Sequence, residues 1–175
     1  MKNSVLLASA FAICITAPST AFAQQDAAKA QVIIGGSAGY HDISDDGAAA
    51  GLDSGGFIFG GVAGVDVPVG EKLFIGAEAN YHFGEGLIDS EYGIAARAGY
   101  RLEGGAKLFV RAGYQEVDFD LGAFENAGFD DTAGDYLLGA GADLPLGDGP
   151  LQLRFNVDTI AFDSVRGTAG LVLAF

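Results

Sequence analysis

The sequence predicts an all-β protein, an eight-stranded antiparallel up-and-down transmembrane β-barrel. Three observations lead there. From Ala30 onward the side chains alternate with period two through eight successive segments, apolar or small on one parity and glycine mixed with polar and charged residues on the other. The segments run to about ten residues, the length of a tilted membrane-crossing strand. Their connections alternate between tight Pro/Gly turns and acidic stretches that are mostly longer.

Residues 1–23 precede the pattern and read as a signal peptide. Lys2 gives the positive start, "VLLASAFAICIT" the apolar centre, and Ala21-Phe22-Ala23 the small-x-small cleavage site. The apolar run is too short for a retained anchor. Cys14, the only cysteine, lies within it and is preceded by Ile13 rather than the small residue of a lipoprotein site, so the mature chain is expected to carry no thiol. Residues 24–29 form a flexible leader, and residues 30–175 form the barrel.

The first strand, "AQVIIGGSAGYH", places Val32, Ile34, Ala38 and Tyr40 on the apolar face. The second, "FIFGGVAGVDV", does so with Phe57, Phe59, Ala63, Val65 and Val67, setting Asp66 on the other face. In the third, "LFIGAEANYHF", Leu73, Ile75, Ala77, Ala79, Tyr81 and Phe83 oppose Glu78, Asn80 and His82. The fourth, "EYGIAARAGYRL", opposes Tyr92, Ile94, Ala96, Ala98 and Tyr100 to Glu91, Arg97 and Arg101. The fifth, "KLFVRAGYQ", has Leu108, Val110, Ala112 and Tyr114 against Lys107, Arg111 and Gln115. The sixth, "DYLLGAGADL", has Tyr136, Leu138, Ala140, Ala142 and Leu144 against Asp135 and Asp143. The seventh, "LQLRFNVDT", has Leu151, Leu153, Phe155 and Val157 against Gln152, Arg154, Asn156 and Asp158. The eighth, "RGTAGLVLAF", ends on Phe175 with Leu173, Leu171 and Ala169 at alternate positions before it.

The two faces decide which way the barrel is turned. A lipocalin-like soluble barrel would bury the large apolar side chains and hydrate the outside. Here the apolar parity avoids charge at mid-strand in every segment, as a lipid-facing surface must when a mid-membrane Arg or Lys costs about 2–4 kcal/mol. The polar parity alternates glycine with long side chains, which suits a cramped lumen. Tyr40, Phe57, Tyr81, Tyr92, Tyr114 and Tyr136 share the apolar parity and one end, the pattern of an aromatic girdle at the headgroup level; Tyr100 and Phe175 mark a sparser one at the other end. The formal net charge of −14 and a pI of about 4.1 exclude a nucleic-acid partner.

With the eight-strand pattern, the girdle and the closing "GLVLAF", the chain from Ala30 to Phe175 resembles the small outer-membrane β-barrel family, the OmpA/OmpX/opacity-type barrels often called "porin family" proteins. The resemblance implies a Gram-negative outer membrane, with lipid and lipopolysaccharide as surroundings. It also implies that Leu171, Leu173 and Phe175 are read by the barrel-assembly machinery; Gly167 stands where the family often has a further aromatic. The peptidoglycan-binding domain of OmpA-type members is not implied, because the sequence stops at the barrel.

Glu78, Arg97, Arg111, Arg154, Asp143 and Asp158 form an expected interior polar network, with Asp66 nearby and Glu78 within reach of Arg97 if the third and fourth strands pair simply. Such a network either fills the lumen or gates a narrow pore for small solutes, and an eight-stranded lumen favours filling. The outward connections carry Asp42, Asp45, Asp46, Asp53, Glu85, Asp89, Asp118, Asp120, Glu125, Asp130, Asp131 and Asp163 without one Lys or Arg. They suit divalent cations bridging lipopolysaccharide, a basic partner, or simply a hydrated surface; "DFDLGAFENAGFDD" lacks EF-hand spacing. His41 and His82 stand at the outer rim on the inward parity, where a hydrolase would place its base. Ser44, three residues after His41, does not give the His-x-Ser arrangement of lipid A deacylase barrels. The sequence therefore leads to a monomeric surface or structural protein of the envelope, with no catalytic residue, cofactor or metal assigned, and with a narrow pore and a rim hydrolase as the alternatives.

Overall fold

The computed structural model describes residues 29–43, 55–86, 88–119 and 132–175. The expected signal peptide, most of the leader, and the loop acids Asp45, Asp46, Asp53, Asp120, Glu125, Asp130 and Asp131 lie outside them. Eight strands follow in order: β1 (Gln31–Ile43), β2 (Gly55–Val69), β3 (Leu73–Gly84), β4 (Ile88–Arg101), β5 (Lys107–Phe119), β6 (Thr132–Pro145), β7 (Leu151–Ile160) and β8 (Ser164–Ala174). Each pairs antiparallel with its sequence neighbour, and β8 pairs with β1 to close the barrel. Closure leaves no sheet edge, which in lipid would hold unpaired N–H and C=O groups at several kcal/mol each. The seam runs to the final residue: Val32 N–H donates to Phe175 O at 2.7 Å and Phe175 N–H to Val32 O at 3.0 Å.

The alternation read from the sequence sorts the side chains as expected. Val110, Val157, Phe57 and Phe175 stand 62–65% exposed on the outer wall, whereas Asp66, Asp143 and Arg154 are fully buried in the lumen. The girdle residues Tyr40, Phe57, Tyr81, Tyr92, Tyr114 and Tyr136 all lie on the outside in the outer halves of their strands. They pair across strands: Tyr40 and Phe57 meet edge to face at 5.3 Å, and Tyr81 and Tyr92 stack at 6.1 Å. Tyr114 lies over Gly134, where an added Cβ would run into its ring.

Two sequence expectations need correction. The strands run further outward than the alternation indicated, so Asp42, Asp89 and Asp118 are strand residues rather than loop residues. Beyond the girdle nothing apolar is needed outside, and the hydrogen-bond ladder continues without the pattern. The connection from β7 to β8 is a tight turn rather than a long loop: Ala161 and Phe162 sit at φ 55° and 63°, and Asp163 N–H donates to Ile160 O at 3.2 Å. Non-glycine residues at both positive-φ positions of a hairpin turn are costly. The conformation carries Phe162 onto Tyr136 at 5.4 Å, extending the aromatic girdle.

The lumen is also less uniformly polar than its parity. Ile58, Ile88 and Val117 form an apolar cluster inside the outer mouth, and Ile33, Val62, Val172 and Ala174 another toward the opposite end. Between these two clusters the polar side chains meet one another.

Candidate functional site: the charged lumen and its outer mouth

Five buried carboxylates, Asp66, Glu78, Glu91, Asp143 and Asp158, face five buried cations, Arg97, Lys107, Arg111, Arg154 and Arg166. This equality matters because an unpaired charge in the lumen would cost several kcal/mol. Two contacts follow from strand pairing alone. Asp143 stands directly opposite Arg154, which grips it with two hydrogen bonds of 2.6 and 2.8 Å, and Asp158 stands opposite Arg166, which donates to it at 2.9 Å.

The central contact does not follow from pairing. The β4–β5 register sets Arg97 against Arg111, two like charges that repel. Glu78 resolves this: its carboxylate accepts from Arg97 at 2.9 Å, from Arg111 at 2.9 Å and from Arg154. Arg97 reaches Glu78 diagonally, since its own cross-strand partner is Gly76. That glycine is required by space: a Cβ there would meet Asp66 Oδ1 at 2.5 Å and Arg97 Cγ at 3.1 Å. Arg97 also donates to Asp143 at 3.0 Å, and its guanidinium lies 4.0 Å from the centre of the Phe109 ring.

Below this layer Lys107 donates to Asp66 at 2.7 Å and to Gln31 at 2.5 Å. Above it Arg111 Nε stands 2.8 Å from Asp158 Oδ1, and Arg166 joins Asp158 to Glu91, donating to the latter at 2.5 Å. The contacts therefore form one continuous chain along the lumen. Thus the six sequence-assigned network residues lie together, each in contact with at least one other. Sequence reasoning left Glu91, Lys107 and Arg166 out of that set. Their inward parity was legible, but they stand toward strand ends, and only barrel closure brings Arg166 of β8 to Glu91 of β4.

At the outer mouth the two histidines share Glu91 and otherwise have different partners. His82 Nε2 lies 2.8 Å from Ser37 Oγ, and its Nδ1 lies 3.3 Å from Asn80 Nδ2 and 3.5 Å from Glu91 Oε1. His41 is held between Glu91 Oε2, 2.8 Å from Nδ1, and Ser164 Oγ, 3.2 Å from Nε2. Ser44, the neighbour that the sequence offered, lies outside the described residues; Ser164 comes to His41 because β8 pairs with β1. A cavity of about 430 Å³ opens over His41 and Ser164, bounded by Ile43, Val117, Phe119 and Ile160. Among the described residues no group of three or more His, Cys, Asp or Glu is placed to hold a metal ion.

Outside the girdle the described acids on the rim are Asp42, Glu85, Asp89, Glu116, Asp118, Asp135 and Asp163. Asp118 accepts from Ser90 Oγ at 3.0 Å and from Thr132 Oγ1 at 2.9 Å, so it is held on the rim by β4 and β6. Lys72 and Arg101 lie at the opposite end of the barrel, beside the β2–β3 and β4–β5 turns.

Comparison with known proteins agrees with this architecture. The family model described as the outer membrane protein beta-barrel domain matches residues 7–171. The fold is similar to that of Ail, the attachment invasion locus protein of Yersinia pestis, with TM-score 0.53 and 17% identity over 83% of this chain and 97% of that one. Ail in complex with the heparin analogue sucrose octasulfate gives TM-score 0.52 and 12% identity over 83% of this chain and 97% of that one. Neisserial surface protein A gives TM-score 0.54 and 15% identity over 84% and 99%. At these identities the likeness concerns the fold, and no curated protein matches in sequence.

Proposed function

The chain belongs to the outer membrane protein beta-barrel domain family, and from that premise we propose a surface-interaction role in the bacterial outer membrane, carried by an acidic outer face on a closed barrel filled by paired charged side chains. The observation that carries this reading is the sorting of charge. All nine Lys and Arg residues lie in the leader segments, the lumen or the opposite end, and none lies in the outward connections. A face of one sign attracts partners of the other and repels its own. The partner class this favours is cationic: a basic protein surface, or divalent cations bridging lipopolysaccharide phosphates. The Ail barrel was crystallised with a sulfated polyanion, a ligand class this face would repel.

The test is binding of polylysine and of sucrose octasulfate to the barrel in nanodiscs. Polylysine binds and weakens steeply with salt, octasulfate does not bind, and replacing Asp42, Glu85, Asp89, Asp118 and Asp163 by their amides removes most of the polylysine signal. Octasulfate binding without polylysine binding would overturn the reading.

The rest of the reading follows the family resemblance: export by the signal peptide, recognition of Leu171, Leu173 and Phe175 by the barrel-assembly machinery, and a monomer surrounded by lipid and lipopolysaccharide. A narrow pore has one observation in its favour, the cavity at the mouth. Below that cavity the lumen is closed by paired side chains, so we expect no stepwise conductance in planar bilayers. Discrete steps that change on Glu78→Gln would favour the pore.

A further inference from the structure

The pairing of β8 with β1 sets three side chains in a geometry that the surface role does not use. Ile43 lies opposite Ser164 in the ladder, which carries the Ser164 hydroxyl to the imidazole two residues earlier on β1. Ser164 Oγ is 3.2 Å from His41 Nε2, and His41 Nδ1 is 2.8 Å from Glu91 Oε2. With the Nδ1–H tautomer, that bond donates to the carboxylate and leaves Nε2 free to accept the serine proton. This is the order nucleophile, base, orienting acid that activates a serine. Glu91 is itself fixed, because Arg166 donates to its other oxygen at 2.5 Å. The Ser164 hydroxyl has a second acceptor, Ile160 O at 3.2 Å, so it can rest on the backbone and turn to His41.

What distinguishes these groups from a structural hydrogen-bond set is the space above them. His41 and Ser164 line the cavity of about 430 Å³ at the outer mouth, and much of its wall is apolar: Ile43, Val117, Phe119 and Ile160. The cavity suits a small ester with an apolar acyl group rather than an anionic substrate, since Asp135 and Asp163 stand at its edge.

We propose that Ser164, His41 and Glu91 form a hydrolytic triad that cleaves carboxylic esters of apolar acyl groups entering from the outer mouth. Ser164 Oγ adds to the carbonyl carbon as its proton passes to His41 Nε2. Collapse of the adduct breaks the ester C–O bond, and the departing alcohol takes that proton. Water, deprotonated by His41, then adds to the acyl-serine and releases the acid, restoring both groups. Glu91 acts through His41 and is a positioning residue.

The test uses the full chain folded in detergent micelles, with folding verified by heat-dependent gel mobility. A fluorophosphonate probe is expected to label Ser164, located by peptide mass. p-Nitrophenyl butyrate and decanoate are expected to be hydrolysed, with loss on the order of 10²–10⁴-fold in Ser164→Ala and His41→Asn. Glu91→Gln lowers the rate at equal folded fraction, and Glu91→Asp restores part of it. Ser164→Ala removes only a hydroxyl, so it reports even if His41→Asn fails to fold. Folded wild-type protein that neither labels at Ser164 nor exceeds Ser164→Ala in hydrolysis overturns the proposal.

Discussion

Glu78→Gln is the sharpest perturbation of the lumen. The change keeps size and shape and removes one negative charge from a side chain that is 2% exposed, so solvent cannot make up the loss. Three guanidinium groups, those of Arg97, Arg111 and Arg154, lose a charged acceptor at once. Each keeps another: Arg97 has Asp66 and Asp143, Arg154 has Asp143, and Arg111 has Asp158. The cost is therefore less than three broken pairs and close to that of one uncompensated buried charge, about 3–5 kcal/mol. Repulsion between Arg97 and Arg111, no longer bridged, acts in the same direction. With a urea slope of roughly 2 kcal/mol per molar, the unfolding midpoint falls by roughly 1.5–2.5 M. Unfolding of the barrel in lipid vesicles, read by gel mobility and tyrosine fluorescence since the chain has no tryptophan, measures it. Adding Arg154→Met to Glu78→Gln removes the surplus cation and should recover part of the loss. A single variant within about 0.5 kcal/mol of wild type, or a double variant less stable than the sum of its parts, refutes the account of a balanced, desolvated network.

Other regions give independent expectations. Val110→Arg, in the lipid-facing band, should destabilise by about 2–4 kcal/mol, whereas Glu116→Arg, two residues further out on the same face beyond Tyr114, should cost little; vesicle unfolding compares them. Ala161→Gly relieves a left-handed backbone at φ 55° and should stabilise the β7–β8 hairpin by about 1 kcal/mol, while Phe162→Gly gains the same relief but loses the Tyr136 contact and should be closer to neutral. Gly139→Ala drives a methyl group into Asp158 and should cost about 1–3 kcal/mol in the same assay.

The fold was legible because a barrel in lipid obeys a local rule. Whether Val110 or Arg111 faces lipid depends on parity alone, and parity is written in the chain. The approach of Glu78 to Arg97 was legible for a related reason, since it needs only the β3–β4 hairpin. The Glu91–Arg166 and His41–Ser164 contacts were not legible. They depend on the stagger at which the barrel closes, and they join residues 75 and 123 positions apart. The inner apolar clusters around Ile58 and Ile33 were masked by sharing a parity with charges, because the lumen needs filling as well as pairing. The acidic outer connections showed their charge in the sequence, and charge alone does not fix a partner.

The position of Arg166 on the last strand bears on how the barrel comes to be sealed. A sheet holding β1 to β7 already contains Glu91 and Asp158, and the cation that links them arrives only with β8. Docking of that strand thus discharges a negative potential at the same moment as it satisfies the two open edges. In reverse, parting the seam must drag one guanidinium from two buried carboxylates. The seam, which as the joint between the chain's two ends would be the natural place to unzip, is thereby fitted with an electrostatic latch. Its effect should appear chiefly in the rate at which the barrel opens.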